Sequence, residues 1–190
     1  MRVKVISFYT RNTPYEQEAF ELQKSCTHFG IDADIQPVAS LGSWEKNVAF
    51  KPFFIREQRQ KKRGPLLWVD ADASFLQAPD FAPFLSYDFS VRTMEIFSGD
   101  PRFALHAGTL FINDTPAAHV LMDRWCERCS EKGVIPFLDQ IALYEVLQEQ
   151  NEATVYPMPI AYCKIYDVDS FFIDDEHVVI EQRQASRHLR

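Results

Sequence analysis

The chain has 190 residues, 46% hydrophobic and 25% charged, which fits one globular domain with a substantial core. Its 16 phenylalanines and only 6 glycines exclude collagen-like and disordered chains, and a formal net charge of −7 argues against a nucleic-acid-binding surface. No apolar run approaches the roughly 20 residues that cross a bilayer. The N-terminal segment also lacks the apolar core of a signal peptide, so we expect a cytoplasmic protein without a transmembrane segment.

Predicted strands and helices alternate along the chain. Residues 3–9 form a β-branched and aromatic strand, and Thr13, Pro14 and Glu16 then give the capping-box pattern of a helix that ends at Gly30. The next predicted elements are a strand at 33–38, a helix bracketed by Pro52 and Gly64, strands at 66–69, 89–93 and 108–112, a helix from 115–116, and a helix at 138–149. Short strands and loops follow from residue 154. This order predicts a single α/β domain over 1–190, with a mostly parallel central sheet flanked by helices.

Two aspartates, Asp70 and Asp72, follow directly on the apolar strand at 66–69. In an open α/β sheet, ligands bind beyond the carboxyl ends of the strands, so these carboxylates lie where a site is expected. They would repel a bare diphosphate. A bound Mg²⁺ or Mn²⁺ ion reverses that repulsion, because carboxylate oxygens hold the cation and phosphate oxygens complete its shell. The alternative is a surface turn, since aspartate is common in turns.

The strand and the sequence Asp70-Ala71-Asp72 resemble the DxD motif of GT-A glycosyltransferases, which use nucleotide-diphospho-sugars. Three other segments are similar to this family in order and spacing: the basic residue and apolar helix at 51–55, the strand segment at 106–113, and the pair Asp139-Gln140. The resemblance covers roughly residues 3–187. It implies a GT-A-like, Rossmann-like fold and metal-dependent transfer of a sugar, with a UDP-sugar as the expected donor and an unknown acceptor.

The resemblance also implies roles for the matched residues. Asp70 and Asp72 would hold Mn²⁺ or Mg²⁺, and Asp139 with Gln140 would be catalytic. Asp139 would act as a base in an inverting reaction or stabilise a cationic sugar in a retaining one, and its alternative role is a helix cap. The donor-binding candidates are Thr10, Tyr15, Lys51, Asp70, Ala71, His106 and Gly108.

Two positions depart from the family pattern. His106 stands where asparagine is usual, and Gln182 occupies the place of a histidine that often completes the metal site. Three arrangements are open: Gln182 is a carboxamide ligand, His177 or His188 substitutes for it, or Asp70, Asp72 and the diphosphate hold the metal.

Two other functions stay open. A non-catalytic nucleotide-sugar-binding module is compatible with the missing histidine. A haloacid-dehalogenase-type phosphatase would use Asp70 as the nucleophile and Asp72 as acid and base, with Lys164 and Asp174-Asp175 as its later motif residues. That motif normally ends the first strand of its fold, whereas here two strands and two helices precede it.

Aromatic and cysteine side chains add two smaller expectations. Trp44, in a predicted loop, is a candidate for stacking on a sugar or a base, with plain packing as the alternative. Cys126 and Cys129 have the spacing of half a zinc site, but no second pair completes four ligands, so we expect them to be buried thiols.

Overall fold

The computed structural model describes residues 2–94, 99–149 and 152–189, with the backbone alone for 188 and 189. His188, one of the possible metal ligands, therefore lies outside the described side chains. The strands are β1 Lys4–Thr10, β2 Ala33–Val38, β3 Leu66–Val69, β4 Ala73–Phe75, β5 Phe89–Thr93, β6 Leu105–Ile112, β7 Val155–Pro157, β8 Lys164–Ile165 and β9 Ile180–Gln182. The helices are α1 Tyr15–His28, α2 Trp44–Ala49, α3 Lys51–Lys61, α4 Pro116–Lys132, α5 Leu138–Gln148 and α6 Ser186–Leu189.

The central sheet has six strands in the order β2-β1-β3-β6-β5-β7. Strand β6 runs antiparallel to both of its neighbours, while the pairs β1·β2, β1·β3 and β5·β7 are parallel. This mostly parallel α/β sheet confirms the predicted fold class. Because β6 is reversed, its first residues lie at the same edge of the sheet as the carboxyl ends of β1 and β3.

Both faces of the sheet are covered, which explains why β3 is apolar along its whole length. Leu66 and Trp68 pack on one side with residues of α3, α4 and α5. Leu67 and Val69 point the other way, toward α1 and β4, as the two-residue period of a strand requires. The core therefore consists of two apolar layers, one on each face of the sheet.

A second, three-stranded sheet of order β4-β9-β8 extends the fold beyond β3. Strand β9 is antiparallel to β4, so Ala73 lies opposite Gln182 and the chain after β9 runs past Asp72. The Arg183 amide donates to the Asp72 carbonyl at 3.1 Å, and the Ala185 amide donates to the Asp72 carboxylate at 2.7 Å. This pairing brings the C-terminal segment to the DxD sequence.

Some local predictions differ from the structure. The capping box before α1 is wrong: the Thr13 hydroxyl donates to the Thr10 carbonyl at 2.7 Å, and the Glu16 carboxylate accepts from the Asn12 amide at 2.8 Å. Trp44 does not lie in a loop but begins α2, where the Ser43 hydroxyl caps the helix. A helix of six residues is too short to show a hydrophobic period.

The cysteine and membrane expectations can also be compared with the fold. All four cysteines are free and buried, and Cys126 and Cys129 lie on the buried face of α4. In the part of the chain that the structure describes, no helix combines the length and apolarity that a membrane span requires.

Candidate active site

A cavity of about 460 Å³ opens at the carboxyl ends of β1 and β3. The predicted site residues that line it are Thr10, Tyr15, Lys51, Asp70, Ala71, Asp72, His106, Asp139 and Gln140. Its wall also contains residues that sequence reasoning did not assign: Phe8, Tyr9, Asn47, Val48, Trp68, Phe137, Gln184, Ser186 and Arg187, together with the stacking candidate Trp44. Residues from six separate segments of the sequence, 8–15, 44–51, 68–72, 106, 137–140 and 184–187, therefore meet in one place.

Lys51 is a buried cation between two carboxylates. Its side-chain nitrogen lies 3.0 Å from Asp70 Oδ1 and 2.9 Å from Asp139 Oδ2, and it donates to the Ala107 carbonyl at 3.2 Å. Lys51 is only 6% exposed. Burial by itself lowers the pKa of Lys51, but the nearby charges of Asp139 and Asp70 outweigh it and raise the pKa above its ordinary value. The site therefore contains a fixed positive charge.

The two aspartates of the DxD sequence have raised pKa values. Burial and the neighbouring Asp72 charge raise the pKa of Asp70 to about 6, although Lys51 opposes this. Burial also raises the pKa of Asp72, against the hydrogen bond from the Ala185 amide. Carboxylates perturbed in this way inside a cleft are candidates for a functional site.

The donor set in the wall suits a hard divalent cation. Asp70 Oδ1 is engaged by Lys51 and by Trp68 Nε1 at 2.9 Å, and Asp72 Oδ2 by the Ala185 amide. Asp70 Oδ2 accepts no hydrogen bond from the described residues, and the Asp70 side chain is 31% accessible. Two carboxylates are few for Ca²⁺, but Mg²⁺ is commonly bound through one or two carboxylates plus substrate phosphates and water. The residues present thus fit an ion of the Mg²⁺ or Mn²⁺ type.

An irregularity between β5 and β6 positions the residues around Lys51. Val91 pairs with Leu110 but Arg92 pairs with His106, so residues 107–109 have no partner on β5. The freed Ala107 carbonyl accepts from Lys51, and the Ala107 amide donates to Gln140 Oε1 at 3.3 Å. The bulge therefore joins the middle of the sheet to α3 and α5.

Asp139 lies in the first turn of α5 and is 2% exposed. Its carboxylate contacts Lys51 on α3, and the residue that precedes α5, Phe137, makes no side-chain cap hydrogen bond. The neighbouring Gln140 faces the same cavity. The geometry therefore gives Asp139 a tertiary ion pair with Lys51 in addition to its place in the first turn of α5.

Gly108 and Gln182 do not line the cavity but lie directly behind its wall. The Gln182 side chain donates to Thr109 Oγ1 at 2.8 Å, and its buried Oε1 has no hydrogen-bond partner in the described part of the chain. The structure thus does not bring the Gln182 carboxamide to the cavity surface, because strand pairing turns it inward beneath Gly108. Its predicted role as a metal ligand would require the unpartnered Oε1, which lies beside Gly108, to reach the cavity.

Other candidate ligands also lie elsewhere. His177 is exposed and clusters with Asp174 and Glu176 on the surface, and none of the three lines the cavity. Among side chains that the structure describes, His106 is the histidine in the cavity wall.

The residues of the phosphatase alternative are not assembled around Asp70. The Lys164 side chain forms ion pairs with Asp175 and with Glu181, the second at 3.3 Å. Neither Lys164 nor the Asp174-Asp175 pair lines the cavity. The geometry therefore gives no support to the late acidic motif of that enzyme class.

Gly108 allows the site to pack closely, which leads to a testable expectation. A Cβ at this position would lie 2.6 Å from His106 Cε1 and 2.9 Å from Gln182 Cδ. Gly108→Ala should therefore displace His106 or Gln182 and destabilise the fold by about 1–3 kcal/mol, the usual cost of overpacking. Urea unfolding measures the change, with Gly108→Ser expected to be no better tolerated. An alanine variant as stable as the parent would contradict this packing.

The fold is similar to that of solved glycosyltransferases, although no protein-family model and no curated protein matches the chain. A glycosyltransferase involved in the glycosylation of the major capsid of PBCV-1 matches with a TM-score of 0.73 and 13% identity, over 97% of this chain and 93% of that one. The glycosyltransferase GlyE of Streptococcus pneumoniae TIGR4, in its apo form, matches with a TM-score of 0.60 and 14% identity, over 96% of this chain and 54% of that one. The chain therefore has the α/β fold of these glycosyltransferases.

Proposed function

We propose that this protein transfers a sugar from a nucleoside-diphosphate sugar, with UDP as the first nucleotide to test, to an acceptor hydroxyl. The observation that carries the proposal is the cavity itself. It gathers the carboxylates of Asp70, Asp72 and Asp139 and the cations of Lys51 and Arg187 at the edge of the sheet where α/β folds bind ligands. The fold shared with glycosyltransferases supports the same reaction class.

The donor would lie along the wall from β1 to the C-terminal segment. Thr10 at the end of β1 and Tyr15 at the start of α1 are the candidates for contacts to the base and ribose, with Trp44 as an added aromatic surface. Arg187, after β9, also lines the cavity and forms an ion pair with Asp167. A guanidinium there can bind diphosphate oxygens through charge-assisted hydrogen bonds.

The metal would be held by Asp70 and Asp72. A divalent cation in this place supplies Lewis-acid stabilisation of the negative charge on the departing diphosphate. Lys51 limits the mutual repulsion of Asp70 and Asp139 and fixes the position of both carboxylates. Ala71, between the two aspartates, is 8% exposed and also lines the cavity.

Asp139 is the proposed catalytic residue. In an inverting reaction its carboxylate takes the proton of the acceptor hydroxyl, and in a retaining reaction it stabilises positive charge on the sugar. Gln140 fixes the start of α5 by accepting from the Ala107 amide, which keeps Asp139 beside Lys51.

Coupling between metal and nucleotide tests the proposal. UDP at about 100 times its Kd should stabilise the protein by about 2.7 kcal/mol with Mn²⁺, and much less with EDTA, because the cation joins carboxylates and phosphates that otherwise repel. Asp70→Asn and Asp72→Asn should each abolish the metal-dependent part of the shift and leave the fold intact. Thermal unfolding measures all these shifts.

Asp174→Asn is the matched control for these variants, because Asp174 is exposed and does not line the cavity. It should retain the whole shift. Equal stabilisation by UDP in Mn²⁺ and in EDTA would remove the metal from the proposal. A covalent aspartyl phosphate on Asp70, or its trapping with beryllofluoride, would overturn the proposal in favour of the phosphatase.

A non-catalytic nucleotide-sugar-binding module is the second candidate. It is favoured by one observation: of the described residues after β9, those in the cavity wall are Gln184, Ser186 and Arg187, none of them a histidine. Incubation of the protein with UDP-glucose and Mn²⁺ separates the two functions. Slow release of free glucose supports the transferase, whereas tight binding without turnover over days supports the module.

A further inference from the structure

The imidazole ring of His106 has hydrogen-bond donors beside Nδ1 and the carboxamide of Gln184 beside Nε2. We infer that His106 is a neutral hydrogen-bond donor with its proton on Nε2, and that Gln184 occupies the position of an oxygen of the donor sugar. Cys163 would be the positioning residue that keeps the ring in this state. The identity of the ligand rests on the proposed function, but the state of the ring does not.

The groups around Nδ1 are donors. The Gly108 amide lies 3.3 Å from Nδ1, and a backbone N–H can only donate. Cys163 Sγ lies 3.1 Å from the same nitrogen. Burial raises the pKa of Cys163 to about 11, so the sulfur carries its proton and can also donate. Nδ1 is therefore an acceptor.

The imidazole ring is neutral at ordinary pH. Burial, with the positive charges of Lys51 and Arg92 nearby, lowers the pKa of His106 to about 3. A neutral imidazole has one protonated nitrogen, and since Nδ1 accepts, the proton is on Nε2. His106 thus presents an N–H group at the cavity wall, and neither a base nor a lone pair for a metal.

Gln184 is the hydrogen-bond partner of His106 Nε2. The atom of Gln184 that lies 3.1 Å from His106 Nε2 is its amide nitrogen Nε2. The backbone N–H of Gly108 cannot turn away from Nδ1, whereas a carboxamide can rotate by 180° about its last bond, so the ring donates to Gln184 Oε1 once the amide is rotated. Gln184 has a φ of +56°, a left-handed conformation that non-glycine residues rarely adopt. A strained residue that lines a cavity and occupies a hydrogen bond is suited to displacement by a ligand.

The chemistry of the N–H group indicates what replaces Gln184. Phosphate oxygens are better bound by the guanidinium of Arg187, because the three N–H groups of Lys51 are engaged by Asp70, Asp139 and the Ala107 carbonyl. An uncharged donor suits an uncharged acceptor, such as a sugar hydroxyl. His106 would therefore donate a hydrogen bond to the sugar of the donor and not to its diphosphate.

The state of the ring can be measured without any ligand. Protein with ¹⁵N-labelled histidine, in metal-free buffer from pH 6 to 8, should give a long-range ¹H–¹⁵N spectrum in which His106 is protonated on Nε2 alone. The His106→Asn spectrum identifies the signals. A ring protonated on Nδ1, or on both nitrogens, would overturn the inference.

The same spectrum tests Cys163. Cys163→Ser keeps a donor beside Nδ1 and should preserve the tautomer, while Cys163→Ala should move part of the population to the Nδ1–H form. Cys26→Ala removes another fully buried thiol, in α1, and should leave His106 unchanged. An identical tautomer ratio in Cys163→Ala would remove Cys163 from the positioning role.

Ligand binding tests the sugar. UDP-glucose with Mg²⁺ should move the His106 Nε2 signal, and UDP with Mg²⁺ should not. His106→Leu should weaken UDP-glucose binding roughly 2–10-fold, the range for one hydrogen bond, with little effect on UDP, and His106→Asn should restore part of the loss. Bound UDP-glucose that leaves the signal in place would contradict the sugar contact. If UDP-glucose, UDP-galactose and UDP-N-acetylglucosamine all fail to bind, the proposed function is wrong. The spectrum recorded without ligand still tests whether His106 is protonated on Nε2.

Discussion

Asp139→Asn is expected to reduce sugar transfer or donor hydrolysis by at least about 100-fold, the usual scale for loss of a positioned base or charge-stabilising group. The amide keeps the shape of the carboxylate but loses its charge and its ability to take a proton. Metal-dependent UDP binding should persist, because Asp70 and Asp72 are unchanged. Turnover of UDP-glucose with Mn²⁺, measured together with the UDP-induced thermal shift, checks both parts.

The control for this variant is Asp123→Asn. Asp123 is an aspartate of α4 whose side chain is 57% accessible and whose ion pair with Arg56 spans 3.7 Å. Its replacement should change neither turnover nor, beyond about 0.5 kcal/mol, stability. An Asp139→Asn protein that melts early but turns over normally per folded molecule would make Asp139 a structural partner of Lys51 and nothing more.

Lys51→Met should destabilise the protein by about 3–5 kcal/mol in metal-free buffer, the usual cost of removing one partner from a buried ion pair. Methionine fills much of the same space. It leaves Asp70 and Asp139 on either side of it without the countercharge that now lies about 3 Å from each. Urea unfolding in EDTA measures the loss.

This loss should depend on pH in a definite direction. The folded-state pKa of Asp70 is already raised to about 6, so its folded form binds protons more readily than the unfolded chain, and its contribution to stability falls as the pH rises from about 4 to 6. Lys51 lowers the pKa of Asp70. Without Lys51 this pKa is higher, so stability continues to fall up to a higher pH. The free energy of unfolding that Lys51→Met loses relative to the parent protein should therefore be larger at pH 8 than at pH 5.

Lys24→Met provides the comparison, because the Lys24 side chain is 70% accessible and its ion pair with Glu21 spans 3.5 Å. Exposed pairs of this kind contribute about 0–1 kcal/mol. A loss at Lys51 no larger than at Lys24, or one that shrinks as the pH rises, would contradict the account of Lys51 as the countercharge of the site.

The sequence by itself determined the elements that follow local rules. The strands at 33–38, 66–69 and 89–93 have the predicted bounds, because short apolar or alternating runs between turns specify strands locally. The resemblance to GT-A enzymes also selected nine of the nineteen residues now found around one cavity, since Asp70, Asp72 and Lys51 adjoin such elements. Elements without a visible period, such as α2 and β4, were missed.

The tertiary structure alone decided how these side chains are joined. The ion pairs of Lys51 with Asp70 and Asp139 connect residues 19 and 88 positions apart, and no local pattern encodes such contacts. The reversed strand β6 and its bulge place His106 beside Cys163, and the pairing of β9 with β4 turns Gln182 inward while Gln184 and Arg187 face the cavity. Strand register determines which face each side chain occupies, and a shift of one residue reverses it. Register depends on the packing of the whole sheet, which is why the sequence indicated the segment after β9 but not which of its residues reaches the site.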